Sequence, residues 1–154
     1  MIGTVRPSEV VTARMWLKVR DTLARIAEIA EGVVFTLENL NLPVDHPGTG
    51  RAEYALPQVD GVNHPRPRLN LDLYHAQIGE GNLIKTCRVC LPWIGACKLL
   101  TRRVDAKRAR ERSTIALPPR RSWAWGYRGA AGMKAFVKHD PEQALQALRA
   151  AFTL

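Results

Sequence analysis

A helical stripe that runs into a proline constrains this chain more than any other feature. Leu83, Cys87, Cys90, Ile94 and Cys97 recur at steps of four, three, four and three, the spacing that keeps side chains on one helix face. Pro92 sits inside that stripe, and a proline lacks the backbone N–H and collides with the preceding turn. The pattern therefore predicts either a kink at Pro92 or two helices, with Pro92 in the first turn of the second. Gly95 weakens the helix further. Past it, Trp93, Cys97, Leu100 and Val104 would share one helical face while Lys98, Arg102, Asp105 and Arg108 point elsewhere. The segment Leu83–Arg112 is thus expected to be helical, with an apolar first half and a basic second half.

The rest of the chain reads around that segment. Residues 8–31 form an amphipathic helix, with Ser8 as its cap, Trp16, Val19, Leu23, Ile26, Ala27 and Ala30 at intervals of three and four, and Gly32 as the stop. Val33–Glu38 alternates and is rich in β-branched residues, so it is read as a strand. Residues 39–68 hold five prolines and three glycines, a composition that opposes helix and sheet interior alike. This stretch is expected to be an extended loop, apolar enough at Val44, Tyr54, Leu56 and Val59 to serve as an arm against a partner. Leu69–His75 alternates cleanly, with Leu69, Leu71 and Leu73 opposite Asn70, Asp72 and Tyr74. That is the pattern of a half-buried strand. Gly79 and Gly81 then make a turn, and Asn82 can cap the following helix.

Trp123, Trp125 and Tyr127 alternate with small residues, Gly129–Gly132 reads as a turn, and Met133–His139 alternates again, together a β-hairpin. Asp140, Pro141 and Gln143 provide the start of a last helix that would bury Leu145, Leu148 and Phe152. The expected architecture is one α+β domain over 1–154. It has a small, mostly antiparallel sheet packed with N-terminal, central and C-terminal helices.

Charge points to function. Between Lys98 and Arg128 there are ten basic residues and two acidic ones, while the rest of the chain is nearly balanced, so this region carries almost all of the +9 net charge. Seventeen arginines against six lysines supply planar groups suited to phosphate or carboxylate, and the bias associates the chain with a bacterial or phage source. Lys98, Arg102, Arg103, Lys107, Arg108, Arg110, Arg112, Arg120, Arg121 and Arg128, with Trp123, Trp125 and Tyr127 as stacking rings, make a candidate surface for nucleic acid or an acidic partner. The alternative for the rings is an apolar core face, with the arginine stems packed over it.

The cysteines offer less. Cys87 and Cys90 form a C-x2-C pair, and Cys97 and His75 could complete a zinc site. The second pair is missing, and the helical stripe already accounts for the three thiols as small buried residues. A nucleophilic cysteine would need His75 or His139 as its base, and Asp72 with His75 or His139 with Asp140 could form an acid–base pair. No phosphate-binding glycine loop, paired zinc-protease histidines or nucleophile elbow occurs.

The sequence thus favours a non-enzymatic, basic accessory protein of bacterial or phage type that binds nucleic acid or nucleoprotein and uses no cofactor. A protein–protein inhibitor or assembly component using the arginine face and the 39–68 arm comes second, and a zinc- or thiol-dependent enzyme third. No apolar run reaches the ~20 residues of a membrane span, and the odd, clustered cysteines do not read as a secreted framework. A cytoplasmic location is expected.

Overall fold

The computed structural model describes residues 12–40, 52–104, 126–137 and 140–152. Helix α1 (Ala13–Ile29) begins where the Thr12 hydroxyl accepts the Met15 N–H at 3.3 Å, so the cap is Thr12 and the expected start at Ser8 lies outside the described residues. Its buried side chains are Leu23 and Ala27, two of the periodic positions. Gly32 follows at φ +71°, a left-handed conformation that favours glycine. Strand β1 (Phe35–Glu38) comes next.

The region expected to be a structureless arm contains helix α2 (Ala52–Asp60) and the start of strand β2 (Pro67–Asp72). Pro57 lies within α2, where composition argues against a helix. Ala52, Ala55 and Val59 are nevertheless at helical spacing and are buried. That stripe of small side chains lets the helix pack closely, and burial of its face outweighs the hydrogen bond that proline cannot donate.

Helix α3 (Leu73–Gly79) follows β2 without a loop, because the Asp72 carboxylate caps it directly. Oδ1 of Asp72 accepts the N–H groups of Tyr74 at 2.9 Å and His75 at 3.2 Å. The strand expected over Leu69–His75 is therefore cut at Asp72. Helix α4 (Leu83–Cys90) has the expected Asn82 cap and buries Leu83, Cys87 and Cys90.

At Pro92 the expectation of a second helix fails. Leu91–Trp93 is a single 3₁₀ turn with the proline near its start, and Ile94–Val104 is strand β3. The seven-residue interval from Cys90 to Cys97 fits a helix by coincidence. Cys97 is buried, but from a strand.

Strand β4 (Ala130–Val137) completes a sheet of order β1-β2-β3-β4 in which every pairing is parallel. This corrects the expected antiparallel sheet and α+β class. Parallel neighbours need long crossovers, usually helical, and α2, α3 and α4 provide two of them. The hairpin is also overturned. Ala130–Gly132, read as a turn, pairs in parallel with Ala96–Lys98, while residues 122–125 lie outside the described residues. Helix α5 (Pro141–Phe152) starts as expected, with Asp140 Oδ1 accepting the Glu142 N–H at 2.8 Å. It buries Ala144 and leaves Leu145 exposed, contrary to the expected face.

The register sorts the sheet into two faces. Leu37, Leu69 and Ile94 align across three strands, with Leu71 beside Cys97. Leu69, Leu71 and Cys97 belong to the main core, together with Ala52, Ala55, Val59, Ala76, Leu83 and Cys87 from the helices. On the opposite face Glu38 pairs with Asn70, Asn70 with Ala96, and Asp72 with Lys98. A bulge at Gly95 keeps this order, since the register steps from Leu69↔Ile94 to Asn70↔Ala96. A side chain at Gly95 would place its Cβ 2.6 Å from Arg68 Cβ and 3.2 Å from Thr36 Cγ2, so the three strands meet closely only because this residue is glycine.

Candidate functional site

The polar face converges where β1 and β2 end. Glu38 is the last residue of β1 and Asp72 the last of β2, with His75 one turn into α3 and Lys98 across from Asp72 on β3. Ligand atoms of Glu38, Asp72 and His75 all lie within 4.8 Å of one another. Carboxyl ends of parallel strands are where open and closed α/β sheets place their working groups.

Each member is held from behind. Asn39 brackets Asp72 through the backbone, its Nδ2 donating to the Asp72 carbonyl at 3.1 Å and its Oδ1 accepting the Asp72 N–H at 2.8 Å. Both residues are 1% exposed. Asn70 Nδ2 donates to Glu38 Oε2 at 3.0 Å and so orients that carboxylate. Lys98 Nζ donates to Glu38 Oε1 at 2.8 Å and Oε2 at 2.9 Å, and lies 4.0 Å from Asp72 Oδ2. His75 Nε2 stands 3.9 Å from the same oxygen, with the Tyr74 ring edge-on to the imidazole at 5.4 Å.

Asp72 Oδ2 is the telling atom. It is buried and receives no hydrogen bond, although Oδ1 beside it receives two. Burial lifts the Asp72 carboxyl above its ordinary range, against the lowering effect of the His75 and Tyr74 N–H groups and the His75 charge. An oxygen in that state calls for a proton or a cation. Two carboxylates and an imidazole form a donor set suited to a divalent ion of the Mg²⁺, Mn²⁺ or Zn²⁺ class. The residues present therefore fit a metal ion, and the expectation of no cofactor is not supported.

The sequence-derived candidates fare differently. The zinc set His75, Cys87, Cys90 and Cys97 is not assembled. The one metal-capable cluster among the described residues is Glu38, Asp72 and His75. The three cysteines are free and buried. Burial pushes the Cys87 thiol up to about 11 and those of Cys90 and Cys97 to about 12, so none is a ready nucleophile.

Of the basic surface, Lys98 pairs with Glu38 inside the site. Arg102 and Arg103 lie on β3, and Lys107, Arg108, Arg110, Arg112, Arg120, Arg121, Trp123 and Trp125 are outside the described residues. Tyr127 is buried in the core and donates its hydroxyl to the Ala130 carbonyl at 2.8 Å, so it is not a stacking platform. Arg128 is exposed and donates to the Tyr127 carbonyl at 3.0 Å. Glu38, Asn39 and Asn70 escaped sequence reasoning. For Glu38 the signal was a polar residue at the end of an alternating strand, visible once the strands are known to be parallel.

No protein-family profile and no curated protein matches the chain. Solved structures do. A D-psicose 3-epimerase from Clostridium cellulolyticum H10 superposes with a TM-score of 0.73 at 20% identity, over 96% of this chain and 57% of that one. A 3-keto-D-glucoside 4-epimerase from E. coli gives 0.70 at 20%, over 97% and 59%. An AP endonuclease, family 2, from Brucella melitensis gives 0.66 at 23%, over 88% and 52%. The fold is that of part of a TIM barrel.

The chain spans a little over half the length of these structures. The likeness overturns the expectation of a non-enzymatic, phage-type accessory protein with a nucleic-acid, nucleoprotein or acidic-protein partner, because the neighbours are sugar epimerases and AP endonuclease-family barrel enzymes. No helix among the described residues is long and apolar enough to cross a membrane.

Proposed function

We propose that this chain is the site-bearing part of a barrel enzyme that isomerises or epimerises a small sugar or related hydroxy-carbonyl compound. Glu38, Asp72 and His75 would hold a divalent metal ion. The observation that carries this reading is the buried Asp72 Oδ2, which accepts no hydrogen bond and lies in a carboxylate–imidazole cluster at the strand ends. The sugar epimerases among its structural neighbours support the substrate class.

The residues divide the work by exposure. Asp72, at 1% exposed, is too deep to touch a substrate and serves as the anchor. The cap it makes on α3 fixes where His75 stands. The Glu38 carboxylate is the more accessible one, with its side chain 28% exposed. It is oriented by Asn70 and, in the metal-free site, by Lys98. A bound divalent ion would act as a Lewis acid on a carbonyl oxygen, which acidifies the adjacent C–H. Lys98 Nζ, 4.0 Å from Asp72 Oδ2, is the ammonium beside that position in the metal-free site.

The test is Mn²⁺ binding by the purified chain, followed by calorimetry and by the electron spin resonance signature of imidazole nitrogen coupling. The expected result is stoichiometric binding that Asp72→Asn abolishes. Incubation of a ketohexose with the Mn²⁺-loaded protein in D₂O should place deuterium next to the carbonyl. Absence of metal binding at millimolar Mn²⁺ would remove the basis of the proposal.

A further inference from the structure

The Lys98 ammonium already sits on the carboxylates that a metal ion would need. It contacts both oxygens of Glu38, at 2.8 and 2.9 Å, and stands 4.0 Å from Asp72 Oδ2, which accepts no hydrogen bond. This contact is built into the sheet. Asp72 and Lys98 are register partners on adjacent strands, and Glu38 pairs with Asn70, the next polar residue along β2. Lysine and glutamate are separated by 60 residues and both are about one-quarter exposed, so the pair is neither a local helix contact nor a freely solvated one.

Charge balance makes the consequence definite. The two carboxylates and the one ammonium together leave a net charge of about −1. A divalent ion joining that arrangement meets only one uncompensated carboxylate and a fixed positive charge a few ångströms away. The same ion with Lys98 turned aside meets two carboxylates. Like charges at such separations repel by several kcal/mol at the effective dielectric of a partly buried site, so an ion and the ammonium would not share it.

We propose that Lys98 and a divalent ion are alternative occupants of the Glu38–Asp72 carboxylate pair, so that Lys98 is the built-in competitor that sets the site's metal affinity. This rests on the metal-site reading above and adds to it a residue that selects against weakly bound ions. Loading moves the ammonium off Glu38, where four flexible methylenes allow it to turn toward solvent.

The experiment is Mn²⁺ titration of the full chain and of Lys98→Met, Lys98→Gln and Lys98→Arg, with unfolding curves recorded for each. Removal of the charge in Lys98→Met and Lys98→Gln should tighten Mn²⁺ binding by at least about tenfold, and Lys98→Arg should bind as weakly as the parent. In the parent chain, ¹⁵N-lysine spectra should show the Lys98 ammonium signal shift on addition of diamagnetic Mg²⁺, a readout that needs no substitution. Equal affinity in parent and Lys98→Met, or weaker binding in the variant, would overturn the proposal while leaving the metal site standing. Failure of every form to bind would overturn both.

Discussion

Asp72 offers the sharpest test, because its two oxygens have opposite effects on stability. Oδ1 caps α3 through two backbone N–H groups, whereas Oδ2 is buried and accepts no hydrogen bond. Asp72→Asn keeps an acceptor at the cap and removes the charge, while Asp72→Ala removes both. Loss of an N-cap acceptor costs about 1 kcal/mol, within a range of about 0.5–2. Asp72→Ala should therefore unfold about 1 kcal/mol more easily than Asp72→Asn, or about 2–4 °C lower for a chain of this size.

The charge gives the second comparison. Burial raises the Asp72 carboxyl above its ordinary 3.8, so the folded chain holds that proton more tightly than the unfolded chain does. The stability this provides is full below pH 3.8 and is lost as the pH rises through the folded value. At neutral pH the carboxylate is a net burden, and Asp72→Asn should be at least as stable as the parent. The assay is urea unfolding at pH 7 in the presence of a chelator. Equal stability of the Asn and Ala variants would refute the cap. An Asn variant clearly weaker than the parent would show that Lys98 and His75 compensate the charge in full.

Two further outcomes follow from packing. Gly95→Ala should cost about 1–3 kcal/mol in urea unfolding, since its Cβ would lie 2.6 Å from Arg68 Cβ, a backbone-proximal atom that cannot swing away. The cysteines should resist iodoacetamide at pH 8 in the folded chain and react together on unfolding, because burial holds their thiols at about 11 to 12. Those thiols ionise near 9.0 when unfolded, so stability should fall as the pH rises above that value toward 11 and 12. Labelling of Cys97 in the native state would contradict its burial.

The faces of the strands were readable before their direction was. Alternation at Leu69, Leu71 and Asp72 assigns the apolar side to the core and the polar side elsewhere, as found. Alternation normally marks an antiparallel sheet with one wet face, since most parallel strands are apolar on both sides. Here the second face is the polar one that carries Glu38, Asn70, Asp72 and Lys98, so the same pattern pointed to the wrong topology. The helix in residues 52–60 was hidden by Pro57, whose local cost is repaid only by packing of Ala52, Ala55 and Val59 against the rest of the core.

By itself the sequence determined the local events. Thiol burial, the caps at Asn82 and Asp140 and the faces of β1 and β2 all follow from side-chain chemistry within a few residues. Only the tertiary structure decided the site. Glu38, Asp72 and Lys98 are separated by 34 and 26 positions in the chain, and no local rule brings them together. Parallel pairing does so, because it sets the ends of successive strands side by side and puts two carboxylates, an imidazole and an ammonium within reach of one ion.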